Sequence, residues 1–225
     1  MADLPPVITI DGPSGSGKGS VAQRVAAALG FNYLDSGALY RALALAAKNA
    51  RISLIEGAVL AELARRLTLR FEAEQVWLNG EPVGEALRSE ECGADASVIA
   101  ALPEVRQALL DTQRAFRQPP GLVTDGRDMG STVFPGANLK IFLTASPEVR
   151  AQRRHKQLIE KGFDANLTDI LHSIRQRDAR DAARAVAPLQ MCVDAFPLDT
   201  SALTVEQAAS AVLTWYRSGS PSRVP

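Results

Sequence analysis

The sequence predicts an α/β fold in which a central parallel sheet is flanked by helices. Three observations predict it. Short apolar segments suited to buried strands occur at residues 7–10, 122–124 and 139–143. Segments with helical spacing of apolar residues lie between these strands, and a glycine-rich segment follows the first strand directly.

The composition fits one globular domain, because 225 residues suffice for a sizeable core with small inserted subdomains. The 25 basic and 25 acidic residues cancel, so no basic field favours a nucleic-acid partner. No apolar run approaches the roughly 20 residues of a membrane span, and the N-terminus lacks the basic region of a signal peptide. Cys92 and Cys192 have no metal-ligand or disulfide spacing, so neither kind of site is indicated and a cytoplasmic location is expected.

The segment after the first strand is the most informative one. It consists of Gly12, Pro13, Ser14, Gly15, Ser16, Gly17, Lys18, Gly19 and Ser20. Apolar residues at helical spacing follow, which gives the order strand, glycine loop, helix and predicts a phosphate-binding loop. Glycines let backbone N–H groups converge on an anion, the helix N-terminus adds positive potential, and Lys18 adds a full charge. A spare glycine-rich turn is the alternative, but such a turn requires neither the lysine nor the preceding strand.

The end of this loop departs from the general pattern, which has Ser or Thr directly after the lysine. Here Gly19 intervenes, and the hydroxyl follows at Ser20. This ending resembles that of the nucleoside monophosphate kinases, which transfer a phosphoryl group from ATP to a nucleotide rather than to water.

The next part of the chain predicts a short second strand at 32–35, a helix at 36–50 and then a small antiparallel sheet. From Leu67 apolar and polar residues alternate, and the strand-like run 76–78 is followed by Asn79-Gly80 and residues 81–83. Asn-Gly between strand-like runs is a strong hairpin signal. We expect an insert at about 63–103 that does not carry the transfer chemistry.

The remainder predicts a helical region at 94–117 interrupted by Pro103, helices at 147–161 and 167–183, a short strand at 195–198 and a closing helix at 205–215. We expect a single domain with a core of residues 5–62 and 104–217. A helical lid is expected at about 150–166, and a flexible tail at 218–225.

Polar clusters follow two of the predicted strands, at Asp35-Ser36-Gly37 and at the segment 125–128. Ligands of open parallel sheets bind beyond the carboxyl ends of the strands, which favours both clusters as parts of a site. For Arg127 and Asp128 a structural ion pair is an equal alternative.

Two groups of arginines share predicted helical faces. Arg177, Asp181 and Arg184 are spaced i, i+4 and i+7, and Arg150, Arg153 and Arg154 are spaced i, i+3 and i+4. Guanidinium groups suit phosphate oxygens, so the first group fits a phosphate clamp and the second fits a lid over ATP. A solvated salt-bridged face and an exposed basic helix end are the respective alternatives.

Together these motifs resemble those of the bacterial cytidylate kinase family along nearly the whole chain. The segments that carry the resemblance are 8–15 (ITIDGPSG), Lys18-Gly19, 34–38 (LDSGA), Tyr40-Arg41, 125–130 (DGRDMG), 133–135 (VFP), 140–143 (KIFL) and 184–189 (RAVAPL). The resemblance implies a P-loop kinase fold, a monomer, and ATP-dependent phosphorylation of CMP and dCMP. It also implies Mg²⁺, which would bind with ATP near Ser20 and without direct protein ligands.

The resemblance also implies roles for individual residues. The loop 12–20 would hold ATP, with Arg153 and Arg154 from the lid, and Lys18, Arg127 and Arg184 would act in catalysis. Contacts to the acceptor or its phosphate are expected from Ser36, Arg41, Arg127 and Arg184. Cytosine recognition is expected from Ser97, Arg106 and Asp128, and ribose contacts from Arg177 and Asp181.

A carboxylate, a hydroxyl and a guanidinium can match the donor and acceptors of cytosine, whereas uracil would leave buried polar groups unpaired. Two rival functions remain at this stage: a kinase for another small acceptor such as UMP, and a regulatory module that binds ATP without transferring it. The second needs the phosphate loop but not the arginine faces.

Overall fold

The computed structural model describes residues 4–72, 75–160, 162 and 164–219. The predicted tail falls outside these ranges from residue 220 on, as do residues 73 and 74 of the predicted insert and 161 and 163 of the predicted lid. By its internal contacts the chain divides into one compact unit of Met1–Leu34 with Phe116–Pro225 and a second of Asp35–Ala115.

The elements of the described residues follow in chain order. They are β1 (Val7–Asp11), α1 (Lys18–Leu29), β2 (Asn32–Asp35), α2 (Ser36–Asn49), α3 (Gly57–Arg66), β3 (Leu69–Glu72), β4 (Gln75–Leu78), β5 (Glu81–Pro82), α4 (Gly84–Leu87), α5 (Glu90–Ile99), α6 (Pro103–Ala115), β6 (Leu122–Gly126), a π-helical turn (Met129–Val133), β7 (Leu139–Thr144), α7 (Pro147–Glu160), α8 (Leu167–Ala182), β8 (Phe196–Asp199) and α9 (Val205–Ser218).

The central sheet has the strand order β2-β6-β1-β7-β8. β1 pairs in parallel with β6 and β7, and β7 pairs in parallel with β8. The predicted α/β fold with a parallel central sheet is therefore confirmed. β1 and β6 are buried at every position, which explains why their sequences are continuous apolar runs rather than alternating ones.

The core of the first unit lies where α1 and α9 pack against this sheet. Val21 and Val25 of α1 meet Ile8 and Ile10 of β1, and Val212 and Trp215 of α9 belong to the same buried cluster. Two valines four residues apart lie on one face of a helix, so this packing follows from the spacing seen in the sequence. The core holds the strand ends, and therefore the loops that follow them, in place.

The second unit combines five helices with the antiparallel sheet β3-β4-β5. Asn79 and Gly80 both have positive φ, 52° and 89°, as a type I′ hairpin turn requires. The predicted small antiparallel sheet is thereby confirmed. Its Leu78 packs with Ala42 and Ala46 of α2, so the hairpin is anchored on a helix that begins beside β2.

One helix differs from expectation. Helix α3 was not predicted, although Leu60, Ala61 and Ala64 have helical spacing and are all buried. The helical region expected at 94–117 with an interruption at Pro103 consists of α5, which begins earlier at Glu90, and α6, which begins at Pro103 as the interruption indicated. Proline favours the first position of a helix because its φ is already helical and its missing N–H is not needed there.

Within the described ranges, no helix is both long enough and apolar enough to cross a bilayer. The thiols of Cys92, which is buried, and Cys192, which is half-buried, are both free.

Candidate active site

The sheet register brings the ends of β1 and β6 together. Asp11 pairs with Gly126, and the N–H of Gly12 donates to the carbonyl oxygen of Gly126 (3.3 Å). The glycine loop after β1 and the polar segment after β6 therefore start side by side at one edge of the sheet. This is the edge where open parallel sheets bind their ligands.

The glycines of the loop are required by its geometry. A Cβ on Gly12 would lie 2.0 Å from the carbonyl oxygen of Leu143, a distance no side chain can adopt. Gly15 and Gly17 have φ values of 75° and 91°, in the left-handed region that L residues with side chains rarely adopt. The chain can therefore make this turn beside β7 only with glycine at these positions.

The carbonyl oxygens of the loop are held by protein donors. Pro13 accepts from Oγ of Ser16 (3.0 Å) and from Nζ of Lys18 (3.2 Å). The carbonyl oxygen of Ser16 accepts from Nη1 of Arg153 (3.3 Å) and lies 3.0 Å from Oγ1 of Thr200. Held in this way, the carbonyls do not compete with the N–H groups for the centre of the loop, which suits anion binding.

The start of α1 also favours an anion. Gly17 is its N-cap and provides no side-chain hydrogen bond, and among the described residues the first turn contains no acidic side chain. The first N–H groups of a helix have no partner within the helix and carry its positive partial charge. Lys18, at the first position of α1 and buried, places a full charge at the same point.

A second charged cluster is built around Asp181. Its carboxylate accepts from Nε of Arg127 (2.8 Å) and from Nη2 of Arg184. The side chain of Asp181 is 1% exposed and that of Arg184 is 4% exposed. Burial by itself raises the pKa of Asp181, but the charges of Arg127 and Arg184 outweigh it and hold that pKa below its usual value. The carboxylate therefore stays ionised and orients both guanidinium groups.

The prediction that Arg184 lies in the same helix as Arg177 and Asp181 is wrong, since α8 ends at Ala182. Arg184 follows the helix and reaches back to Asp181 from the next turn of chain. Arg177 lies close enough to contribute to the lowered pKa of Asp181. Arg177, Asp181 and Arg184 therefore interact with one another, as the spacing indicated, although Arg184 lies after the helix and not within it.

The two arginines assigned to ATP differ in their surroundings. Arg153 donates to the carbonyl oxygens of Ser16 and Thr200, at 3.3 and 2.5 Å. Arg154 lies 3.5 Å from Oε1 of Gln157. Arg153 thus contacts the phosphate loop directly, whereas the half-buried side chain of Arg154 lies near Gln157 of its own helix.

Four of the predicted site residues belong to the second unit. Arg41 of α2 donates to Oδ2 of Asp35 (2.5 Å), and Oδ1 of Asp35 caps the helix by accepting from the N–H of Ala38 (3.1 Å). Asp35 therefore fixes both the start of α2 and the Arg41 guanidinium. Ser36, the first residue of α2, is buried.

The other two lie on α5 and α6. Ser97 is buried on α5. Arg106 of α6 donates to the carbonyl oxygen of Ala100 (3.2 Å), one turn beyond Ser97, and its guanidinium lies 5.9 Å from the ring centre of Tyr40. Arg106 therefore contacts the C-terminal end of α5, the helix that carries Ser97. Asp128, the third residue assigned to cytosine, is buried in the first unit.

Asp125 belongs to the polar cluster predicted at 125–128, but no role in the site was assigned to it. It is buried at the end of β6, and its Oδ1 accepts from the hydroxyl of Tyr33 (2.7 Å). The same oxygen lies 3.8 Å from the position a Cβ on Gly19 would occupy. Its position near the end of a buried strand, just before Gly126 and Arg127, is the signal that could have given it a role.

The carboxyl group of Asp11, at the end of β1, has an unusually high pKa. Its carboxylate accepts from the N–H groups of Met129 (2.9 Å) and Gly130 (2.8 Å). Burial raises its pKa from 3.8 to about 7, the two N–H groups act in the opposite direction, and the charges of Asp128 and Asp125 add to the rise.

We expect the free energy of unfolding to fall as the pH rises from about 4 to about 7. Because the pKa of Asp11 is higher in the folded chain than its ordinary 3.8, the stabilisation is complete below pH 3.8 and is lost as the pH passes through about 7. Carboxyl groups with lowered pKa, such as Glu62, affect stability mainly below about pH 4.5, which lies below the range in which the measurement is made. Urea unfolding of the wild type and of Asp11→Asn between pH 5 and 8.5 measures the effect. The slope should be smaller in the variant, and equal slopes would contradict the assignment.

Comparison with known proteins agrees with this geometry. A family model described as cytidylate kinase matches residues 8–218. The cytidylate kinase of Bordetella bronchiseptica is 58% identical over 216 residues, which cover 96% of this chain and 97% of that protein. The cytidylate kinase of Chromobacterium violaceum is 59% identical over 211 residues, with 94% and 95% covered.

Among solved structures, a gluconokinase from Sinorhizobium meliloti superposes with a TM-score of 0.52 at 16% identity and covers 96% of this chain and 94% of its own. An uncharacterized protein from Eubacterium ventriosum gives the same TM-score at 12% identity, with 95% and 98% covered. At these identities the likeness shows the fold alone.

Proposed function

The chain belongs to the cytidylate kinase family, and on that premise we propose that it phosphorylates CMP and dCMP with ATP. The products are ADP and CDP or dCDP, formed by direct in-line transfer of the γ-phosphoryl group without a covalent enzyme intermediate. The observation that carries the proposal is the pairing, within one compact unit, of a phosphate loop with the arginine pair held by Asp181.

On the donor side, the loop N–H groups and Lys18 bind the phosphates of ATP. The transition state spreads negative charge over the peripheral oxygens of the moving group, so fixed positive charge lowers the barrier. Arg153, which already holds the loop and Thr200, would contribute from α7, and Arg154 from the same helix.

On the acceptor side, Arg127 and Arg184 bind the acceptor phosphate and the transferred group. Ser36 and Arg41 are also assigned to the acceptor nucleotide or its phosphate. No general base is needed, because a phosphate monoester is already largely anionic at neutral pH. Cytosine is recognised by Ser97, Arg106 and Asp128.

The ribose is bound by Arg177 and Asp181. Asp181 has a further task on this proposal, since its carboxylate already orients Arg127 and Arg184 for the phosphate.

Magnesium fits the oxygen donors at the phosphate loop. Mg²⁺ is usually held by substrate phosphates, water and one or two protein oxygens, and no cluster of three or more acidic, histidine or cysteine ligands occurs in the described part of the chain. The hydroxyl of Ser20 and the carboxylate of Asp125 are the oxygens that would face it. When bound, the ion neutralises charge on the β- and γ-phosphates.

We further propose that the enzyme acts as a cytoplasmic monomer in pyrimidine nucleotide metabolism.

The test is a coupled ADP-release assay with ATP and Mg²⁺ that compares CMP, dCMP, UMP, AMP and GMP. We expect rapid release with CMP and dCMP and weak release with UMP, because uracil would leave buried polar groups of the base site unpaired. Rapid release with another acceptor would overturn the cytosine assignment while keeping the phosphate loop. Release that no acceptor stimulates would overturn the proposed function and leave ATP binding alone.

A further inference from the structure

Arg150 lies beneath the phosphate loop rather than on the surface of α7. Its side chain is 3% exposed. Nε donates to the carbonyl oxygen of Ala145 (2.9 Å), and Nη1 donates to the carbonyl oxygen of Ser14 (2.9 Å). A Cβ on Gly15 would lie 3.4 Å from Cβ of Arg150, so α7 packs closely against the phosphate loop at this point.

The same guanidinium makes a two-pronged contact with α8. Nη1 lies 3.1 Å from Oδ1 of Asp178, and Nη2 lies 2.5 Å from Oδ2. Such fork-to-fork pairing fixes orientation as well as distance. Asp178 directly follows Arg177 in the helix and precedes Asp181 by three residues. One buried side chain therefore joins the phosphate loop to the helix that carries the acceptor-binding charges.

A second ion pair connects the same two helices and provides a comparison. Nη2 of Arg175 lies 2.8 Å from Oε1 of Glu148, but these side chains are 60% and 53% exposed. Exposed ion pairs of this kind contribute little to the free energy of folding. We therefore expect that removing this exposed α7–α8 pair leaves the phosphate loop unchanged.

We propose that Arg150 and Asp178 are positioning residues that align the donor phosphate loop with the acceptor side of the site on α8. The inference rests on the proposed phosphoryl transfer and deepens it. In-line transfer needs the attacking oxygen and the γ-phosphorus held close and collinear, and a misplacement of about 1 Å can cost about 10²-fold in rate. Without the link, each half of the site keeps its binding groups but loses its fixed relation to the other.

Two variants test this role. In Arg150→Met/Asp178→Leu, apolar side chains replace the buried Arg150 and the half-buried Asp178, and such an exchange of an ion pair is often neutral for stability. In Asp178→Asn, the bonds of Arg150 to Ala145 and Ser14 can persist, while the charge of its partner is lost. We expect kcat to fall about 10²-fold in the double variant and about 10-fold in Asp178→Asn, with the KM values for ATP and acceptor changed much less.

Glu148→Gln is the matched control, because it breaks the exposed pair between the same helices, and its kcat should equal that of the wild type. All rates are measured at a temperature where circular dichroism shows each variant folded, so a purely structural role would leave kcat unchanged. If the double variant does not fold, Asp178→Asn decides. A kcat within threefold of wild type in the deciding variant would overturn the proposal.

The wild type distinguishes this outcome from failure of the proposed function. If the wild type releases no ADP with any acceptor, the proposed function is wrong and the positioning role falls with it. If the wild type turns over and the deciding variant does so equally well, only the positioning role is wrong.

Discussion

Arg184→Met is expected to lower kcat by about 10³-fold while the protein still folds. The guanidinium of Arg184 is oriented by Asp181 and almost fully buried, so it can act on a developing charge without reorganising. The estimate takes the low end of the range of about 10³–10⁵ measured for arginine fingers. The measurement is steady-state ADP release with saturating ATP and acceptor.

The structure indicates why the fold should survive this change. Asp181 keeps its bond to Arg127, so its carboxylate is not left as an isolated buried charge. Arg180→Met is the matched control, because Arg180 lies exposed in α8, four residues before Arg184, and its substitution removes the same charge. Rates near those of the wild type in folded Arg184→Met would remove Arg184 from the mechanism.

The phosphate loop could be predicted from sequence because its constraints are local. The order of strand, glycine loop and helix fixes which residues need positive φ, and Gly15 and Gly17 have it. The hairpin at Asn79-Gly80 was predictable for the same reason, since both turn residues must adopt left-handed conformations. In each case the residue type alone limits the backbone.

The surroundings of the arginines could not be predicted in this way. Arg150, Arg153 and Arg154 are spaced for one helical face, yet Arg150 is buried against the phosphate loop, whereas Arg154 is only half-buried and lies near Gln157 of its own helix. What separates them is where α7 meets the loop of β1, a contact between residues 136 positions apart. Helical spacing gives the face of a side chain, but only tertiary packing decides whether that face is covered.

Arg184 shows a related limit. Its spacing from Asp181 suits both a continuous helix and a turn after the helix end, and the chain uses the turn. The ion pair was predictable because oppositely charged groups three residues apart can meet in either case. The helix end was not, because helix ends depend on capping and local contacts as much as on spacing.

Lys18→Met is expected to reduce turnover by about 10⁴-fold, a larger loss than the one expected for Arg184→Met. Lys18 combines a full charge with the N-terminus of α1, so its loss removes the strongest positive potential from the donor phosphates. The loop itself should persist, because Oγ of Ser16 still donates to the carbonyl oxygen of Pro13 when Nζ is gone. Single-turnover transfer with enzyme in excess measures the loss in transfer rate, and calorimetric titration with ATP measures the loss in ATP affinity.

The two substitutions should also differ in which substrate they affect. Lys18 acts on the donor, so Lys18→Met should weaken ATP binding and slow the transfer. Arg184 is placed with the acceptor, so Arg184→Met should leave ATP binding unchanged. Lys48→Met controls for loss of a lysine, since Lys48 lies exposed in α2, paired with Glu91. Wild-type ATP affinity together with wild-type transfer in Lys18→Met would mean that the glycine loop is not the donor site, whatever its shape.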